Sequence, residues 1–333
     1  MLTIGLDVHW RTSTICILNE YGKKVKELTI RGDWNKVLTV LAGLREPFQL
    51  VYEASCGYGH LYELLVKIAR RVVVAHPGAV RLIYRCKRKN DRIDAQKLAL
   101  LLYLNQVPPV HVPSLDVRQW RSLVECRQNR IAQRVACKNS LKAILRSHGI
   151  RLRGAWTRKG LIALAEAPLP PASSLHRNLL LEELAGLTRQ IQVVTVELDK
   201  IARRHPGVAL LRTIRGIGPR TAEAVMAYVD TPQRFGRVNQ IGAYLGLVPC
   251  QDSSADKNRL GHITRQGPAT VRKLLVEATW QVIRRSATAK ARFERITGGK
   301  KERRKIALVA MTHWLSRVML AMLRSGEAWR EAA

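Results

Sequence analysis

Acidic residues are scarce in this chain of 333 residues, which has 25 Asp and Glu against 57 Lys and Arg. The formal net charge is +32 and the isoelectric point is near 10.8. Such an excess predicts a polyanionic partner, with nucleic acid ahead of a membrane surface. Because the basic residues are spread through the whole chain, we expect the contacting surface to extend over several domains.

Paired cysteines and long apolar runs are also missing. No CxxC pair occurs, which argues against structural zinc, and the cysteines are expected to be reduced thiols of a cytosolic protein. The longest apolar stretch, LALLLYL at 98–104, is too short to span a bilayer. Asp7 interrupts the early apolar run that a signal peptide would need. The sequence therefore predicts a soluble, cytoplasmic protein with no membrane partner.

The few carboxylates include four that stand in three short N-terminal segments. Asp7 in IGLDVH and Glu53 in LVYEAS each end an apolar, strand-like run. Asp91 and Asp94 in KNDRIDAQKLA open a helix-like run and share one helix face. A basic chain has little reason to gather carboxylates unless a cation lies between them, and a pair of divalent metals acting on a phosphodiester would supply that reason.

Each carboxylate alone has an ordinary explanation. Glu53 would suit an ion pair at a sheet edge, and Asp91 and Asp94 would complement a helix dipole. The order and spacing of all four favour the metal site, with Asp7, Glu53 and at least one of Asp91 and Asp94 as ligands. Of that pair Asp94 is preferred, because it faces an established helix. His9 shares the strand face of Asp7, where contact with the metal site and simple packing are both open.

The first part of the chain alternates strand and helix patterns. Three antiparallel strands followed by alternating helix and strand predict a ribonuclease-H-like sheet. In such a sheet Asp7 and Glu53 would lie side by side on neighbouring strands. The predicted strands are 2–8, 12–18, 25–31, 48–53 and 71–75, and the predicted helices are 34–44, 58–69 and 91–104.

Beyond PPVHVP at 108–113 the pattern becomes helical. Apolar residues at helical spacing over 115–148 and 175–204 predict an antiparallel hairpin, and the second run is close to a heptad pattern. A dimerising coiled coil and an ordinary helix pair are both open. We predict three domains, at 1–112, 113–205 and 206–333, the last of them mainly helical.

A turn of sequence GIG inside LRTIRGIGPRTAEAVMAYV, at 210–229, separates two helical runs. This pattern predicts a helix-hairpin-helix element, in which backbone N–H groups at a helix N-terminus approach a phosphate without reading base sequence. Arg215 and Arg220 flank the turn and are predicted to contact nucleic acid.

The segments GLDVH, YEAS, KNDRIDAQKLA, GIGPRTA, GAYLGLVP and GHITRQG resemble those of the DEDD transposases of bacterial insertion sequences. This is insertion-sequence family 110, the bridge-RNA-guided recombinases, whose relatives include the Piv DNA invertases. The resemblance covers nearly the whole chain. It implies a RuvC-like domain of ribonuclease-H fold, a helical connector and a C-terminal transposase domain, with Mg²⁺ or Mn²⁺ held by Asp7, Glu53, Asp91 and Asp94.

The resemblance also implies a serine nucleophile shortly after a GLxP element. Here GLVPCQDSSADK offers Ser253 and Ser254, with Ala255 where the family has glycine. Position favours Ser254, whereas the sequence alone would make both serines turn residues. Nearby cations are predicted to position the scissile phosphate or to contact the backbone generally: Lys257, Arg259, His262, Arg265, Arg272 and Lys273.

The implied function is a DNA recombinase that cuts and rejoins strands at the element's ends and target. The resemblance also implies a structured guide RNA and a homo-oligomer, either a dimer or a tetramer. It places the protein in the bacterial cytoplasm, associated with the nucleoid. The nearest rival is a RuvC-like junction nuclease that uses water. A sugar kinase or actin-like ATPase would need a small phosphate loop where Val8, His9 and Trp10 stand. A non-catalytic nucleic-acid binder is the third rival.

Overall fold

The structure is a computed structural model that describes residues 1–83, 90–252, 254 and 259–331. The chain divides into two compact units, Met1–Leu115 and Asp116–Ala333. The first is built on a mixed sheet, and the second is mainly helical. The division into three domains stays a prediction.

A five-stranded sheet of order β3-β2-β1-β4-β5 forms the centre of the first unit. Strands β1, β2 and β3 are antiparallel neighbours, whereas β4 runs parallel to both β1 and β5. All five predicted strands are confirmed, and the arrangement is consistent with a RuvC-like domain. The elements are β1 Leu2–Val8, β2 Thr12–Leu18, β3 Lys24–Arg31, α1 Trp34–Ala42, β4 Phe48–Glu53, α2 Tyr58–Leu65, β5 Arg71–Ala75, α3 Pro77–Ile83 and α4 Asp91–Tyr103.

Alternation along β1 separates the two faces of the sheet. Ile4 and Leu6 are fully buried in a core that α1 and α2 cover. Gly5 lies on the opposite face, against α4. A Cβ at Gly5 would overlap the carbonyl oxygen of Ala95 and the amide nitrogen of Ala99. Helix α4 therefore packs directly on the backbone of β1, which fixes the position of its N-terminus.

The second unit begins with two long helices that pack against each other. Arg127 Nε donates to Thr195 Oγ1 at 2.8 Å, and Cys137 Sγ donates to the carbonyl oxygen of Leu180 at 3.1 Å. As the residue number rises on one helix it falls on the other, so the predicted antiparallel hairpin is confirmed. The dimerising coiled coil stays a prediction. The elements of this part are α5 Leu115–Ser147, α6 Arg158–Ala165 and α7 Pro171–Arg204.

The rest of the second unit surrounds one large apolar core. Its elements are α8 Pro206–Leu211, α9 Pro219–Val229, α10 Gln240–Tyr244, β6 Pro249–Gln251, β7 Leu260–Ile263, α11 Ala269–Arg285, α12 Ala287–Thr297 and α13 Arg304–Ser325. Among the described residues, the helical stretch Lys301–Ser325 is long and apolar enough to cross a membrane. Met311, Leu315 and Met319 of that stretch are fully buried in the core. Their burial accounts for its apolar character.

The GIG turn lies between α8 and α9. Gly216 has φ of +105°, and a Cβ there would lie 2.8 Å from backbone atoms of Gln281 and Val282 in α11. The first glycine of the turn is therefore required by close packing inside the protein. Binding of a nucleic-acid backbone by this element stays a prediction.

A charged group is buried where α9 meets α7. Glu223 is fully buried, and its Oε1 accepts from Arg220 Nη2 at 2.6 Å. Arg220 also pairs with Asp199 of α7. Burial raises the pKa of Glu223 to about 7, against the opposing effect of the Arg220 charge.

Replacing Glu223 by glutamine is expected to change the pH dependence of stability. The folded pKa is about 7 and the ordinary value is 4.5, so between these values the folded chain binds more protons than the unfolded chain. The contribution of Glu223 to the free energy of unfolding therefore falls as pH rises through this range, by about 3 kcal/mol. Denaturant unfolding of both proteins from pH 4.5 to 8 measures it. A constant difference between them would contradict the assignment.

Replacing Gly5 by alanine is expected to lower the free energy of unfolding by roughly 2–4 kcal/mol, because the new methyl group meets the backbone of α4. Gly186 in α7 is the matched control, since nothing lies within 4 Å of a Cβ at that position. Gly186→Ala should be neutral or stabilising by about 0.5–1 kcal/mol. Thermal and denaturant unfolding measure both, and equal effects would refute the close packing of α4 on β1.

Candidate metal centre

Two of the predicted carboxylates occupy adjacent strands at the same level. Strands β1 and β4 pair in parallel with Leu6 opposite Tyr52, so Asp7 and Glu53 are the next residues on each strand. Both are half-buried. Since side chains alternate along a strand, both lie on the face that carries Gly5 and Val51. This is the face that α4 covers.

Helix α4 brings the third carboxylate to this end of the sheet. Asn90 caps the helix by accepting from the amide of Arg92 at 3.1 Å. Asp91 precedes Ala95 by one helical turn, and Ala95 contacts Gly5, two residues before Asp7. The same close packing that requires a glycine on β1 therefore directs Asp91 toward Asp7.

Asp7, His9 and Asp91 form a cluster in which one ligand atom of each residue lies within 4.8 Å of the others. His9 Nε2 is 3.5 Å from Asp7 Oδ2. The His9 side chain is 59% exposed, which excludes a buried packing role for it. Carboxylate oxygens suit Mg²⁺ or Mn²⁺, and a neutral imidazole also serves as a metal ligand. The donor atoms of these three residues would suit a divalent cation.

Glu53 and Asp94 lie outside this three-residue cluster. Asp94 Oδ1 is 3.7 Å from Lys97 Nζ. Asp94 precedes Leu98 by one turn, and Leu98 packs in a cluster with Val51 of β4. Asp94 therefore belongs to the β4 side of α4, where Glu53 ends its strand. The sequence favoured Asp94 over Asp91, whereas the structure brings Asp91 to Asp7.

The serine segment belongs to the second unit. Strands β6 and β7 form a hairpin in which the amide of Asp252 donates to the carbonyl oxygen of Arg259 at 2.9 Å. Ser254 lies beyond this hydrogen bond and is exposed. Ser253 and Lys257 lie outside the described residues.

The residues predicted to contact nucleic acid differ in whether their charged groups are exposed or paired within the protein. Arg215, Arg259, Arg265 and Lys273 are exposed. Arg220 is held in the ion pairs with Asp199 and Glu223 described above. Arg272 donates to three backbone carbonyls, of Leu245 at 2.8 Å, Arg265 at 3.1 Å and Gln266 at 3.2 Å. For Arg220 and Arg272 the geometry supports a structural role inside the protein. Contact of these two residues with nucleic acid stays a prediction that the geometry does not support.

Sequence reasoning missed a basic groove between α11, α12 and α13. Trp280 and Phe293 line it, with ring centroids 5.5 Å apart, and the cavity has a volume of about 610 Å³. The cations around it are Arg284, Lys290, Lys300, Lys301 and Arg304. The signal in the sequence is the basic run GGKKERRK at 298–305, in which Lys301–Arg303 form a 3-10 turn and α13 begins at Arg304.

The chain is similar to known transposases over most of its length. A family model described as a DEDD transposase of IS110 type matches residues 4–150, and one described as Transposase IS116/IS110/IS902 family matches residues 208–294. Together they cover more than half of the chain.

Curated relatives agree with these matches. The transposase for insertion sequence element IS1111A of Coxiella burnetii is 28% identical over 84% of this chain and 78% of its own length. A probable family 20 transposase of Pseudomonas aeruginosa is 28% identical over 84% of this chain and 86% of its own. The transposase for insertion sequence element IS1328 of Yersinia enterocolitica is 24% identical over 97% of both. The chain therefore belongs to the IS110 family of insertion-sequence transposases, enzymes that cut and rejoin DNA.

Proposed function

We propose that this transposase cuts DNA at a divalent-metal centre formed by Asp7, Glu53, Asp91 and Asp94. The observation that carries the proposal is the cluster of Asp7, His9 and Asp91 at the solvent-facing end of the sheet. Two aspartates and a histidine at an open end of a sheet leave room for a phosphodiester. Mg²⁺ or Mn²⁺ bound there would supply Lewis-acid activation of a phosphate oxygen.

Each residue has a role in holding the scissile phosphate. Asp7 and Asp91 provide the ligand oxygens, and His9 completes the cluster. Glu53 and Asp94, on the β4 side, provide carboxylates for a second cation. Lys97 lies beside Asp94 and offsets part of the negative charge when the site is empty.

The proposed nucleophile is Ser254. Its Oγ attacks the scissile phosphorus as it loses its proton, a new O–P bond forms, and the bond to the departing deoxyribose oxygen breaks, with that oxygen taking up a proton. The phosphoserine link conserves the bond for rejoining to a second strand. The exposure of Ser254 on the β6–β7 hairpin supports this role, because a strand can reach the hydroxyl.

We further propose a structured guide RNA and a homo-oligomer, in the bacterial cytoplasm and associated with the nucleoid. The net charge of +32 exceeds what a short DNA contact needs and suits two polyanions. Exposed apolar side chains along α7 support association of copies: Leu175, Leu179, Val193 and Val196. Full strand transfer by protein freed of RNA with ribonuclease would exclude the guide.

Replacing Asp7 or Asp91 by asparagine is expected to reduce Mn²⁺- or Mg²⁺-dependent strand cleavage by about 100-fold or more, because ligand oxygens are lost. DNA affinity should change by no more than about twofold, since phosphate contacts by the basic surface remain. Cleavage assays and binding by fluorescence anisotropy measure the two effects. Mn²⁺-induced thermal stabilisation should weaken in both variants.

Glu20→Gln serves as the matched control for this metal site. Glu20 is an exposed carboxylate of the same unit, in the turn between β2 and β3. It should keep cleavage and metal stabilisation intact. Unchanged cleavage by Asp7→Asn would reject the metal centre and favour a non-catalytic binder.

Replacing Ser254 by alanine is expected to abolish the covalent protein–DNA species while DNA binding is kept. The species is detected as a denaturant-resistant adduct with labelled DNA, and Ser253→Ala should retain it. An adduct that persists in Ser254→Ala and disappears in Ser253→Ala would move the nucleophile by one residue. Cleavage without any adduct in the unaltered protein would favour a RuvC-like nuclease that uses water.

A further inference from the structure

An exposed tryptophan stands next to the candidate metal centre. Trp10 lies in the tight connection between β1 and β2 and is 75% exposed. It directly follows His9, whose Nε2 is 3.5 Å from Asp7 Oδ2. The roles proposed above for the carboxylates and for Ser254 do not explain why a large indole stands at the edge of a site for polar chemistry.

The indole of Trp10 rests on a second tryptophan. The rings of Trp10 and Trp34 are in a T-shaped arrangement, with centroids 5.6 Å apart and planes at 71°. Trp34 Nε1 donates to the carbonyl oxygen of His9 at 3.4 Å. This contact ties the supporting ring to the backbone that carries both His9 and Trp10.

Trp34 is itself held from behind. Gly57 has φ of +79°, and a Cβ there would lie 2.5 Å from the Cη2 atom of Trp34. The ring of His60 lies on another side, with centroids 6.4 Å apart. Trp34 is half-buried and thus has little freedom to move.

The hairpin backbone is equally constrained. The amide of His9 donates to the carbonyl oxygen of Thr12 at 3.0 Å, and the amide of Gly32 donates to that of Arg11 at 2.9 Å. Arg11, Arg31 and Lys36 are exposed around the same hairpin. Trp10 therefore presents an ordered aromatic surface in a positively charged setting, and its exposure does not come from a loose loop.

We propose that Trp10 stacks on an unpaired nucleobase of the DNA strand that enters the metal centre, next to the scissile phosphate. Stacking on an aromatic side chain does not depend on base identity, because every base has a π face. Arg11, Arg31 and Lys36 contact the phosphates on either side of that base. The inference rests on the proposed function in taking DNA as the strand, and it adds that the strand is unstacked where it is cut.

The test compares full-length Trp10→Ala, Trp10→Phe and Trp10→Leu proteins without divalent ions. The probes are a fully paired duplex and the same duplex with a single-stranded DNA overhang that carries 2-aminopurine. Affinity is measured by anisotropy, and stacking by quenching of the 2-aminopurine fluorescence. Trp10→Ala and Trp10→Leu should each lose about tenfold in affinity for the overhang substrate together with the quenching. Trp10→Phe should keep most of both, and the paired duplex should bind within about twofold throughout.

Tyr21→Ala is the matched control. Tyr21 is an aromatic residue of the same unit, 74% exposed, in the hairpin at the opposite end of β2. It should bind both probes normally. Thermal unfolding checks that each variant is folded. Because Trp10 is exposed, we expect its variants to fold normally.

Several outcomes would overturn the proposal. These are equal losses on the paired duplex and the DNA overhang, unchanged affinity of Trp10→Ala for the DNA overhang, or Trp10→Leu behaving as well as Trp10→Phe. With a third probe that carries an RNA overhang, losses confined to that probe would also overturn it. The last would assign the ring to the guide. Because the assay needs no cleavage, failure of the metal centre in Asp7→Asn experiments is seen separately from failure of the stacking.

Discussion

The contact between α4 and the backbone of β1 determines the geometry of the candidate site. Gly5 has no side chain, so the helix approaches until its own backbone at Ala95 and Ala99 lies against the strand. One turn before Ala95 is Asp91, and two residues after Gly5 is Asp7. A side chain at Gly5 would lift the helix and separate the two aspartates. The separation of these two carboxylates thus depends on a position with no chemistry of its own.

Two of the few acidic residues stabilise the packing of helices in the second unit. Glu125 of α5 accepts from Tyr228 Oη of α9 and from Thr270 Oγ1 of α11, each at 2.6 Å. Burial and this hydrogen bond raise the pKa of the Tyr228 hydroxyl. Together with Glu223, this carboxylate holds helices together instead of neutralising the surface. The surface therefore keeps its excess of positive charge, which predicts rapid, salt-sensitive association with nucleic acid.

Local patterns predicted the first unit well because its elements are regular. Short apolar runs predicted the five strands, and the helix-like run that Asp91 and Asp94 open predicted α4. The choice between Asp91 and Asp94 depended on which side of α4 faces β1, which is set by the distant Gly5. The short helices α6 and α12 were missed, since they have only 8 and 11 residues and so repeat the helical period few times. Arg220 was predicted to contact nucleic acid because it flanks the GIG turn, but it pairs with Asp199, which lies 21 residues earlier in the chain. No local pattern reveals such a pairing.

The paired helices α5 and α7 have a consequence for how this enzyme can change in length. Helix α5 has 33 residues and is about 50 Å long at the rise of an α-helix. It joins the main core at Trp120 to a small distal core at Leu141. Removing seven residues from each helix would shorten the pair by about 10 Å and turn the distal core by only about 20°. Removing a single residue would turn it by about 100°. The pair is therefore a spacer whose length can change in steps of seven residues while the orientation of the distal core is nearly preserved.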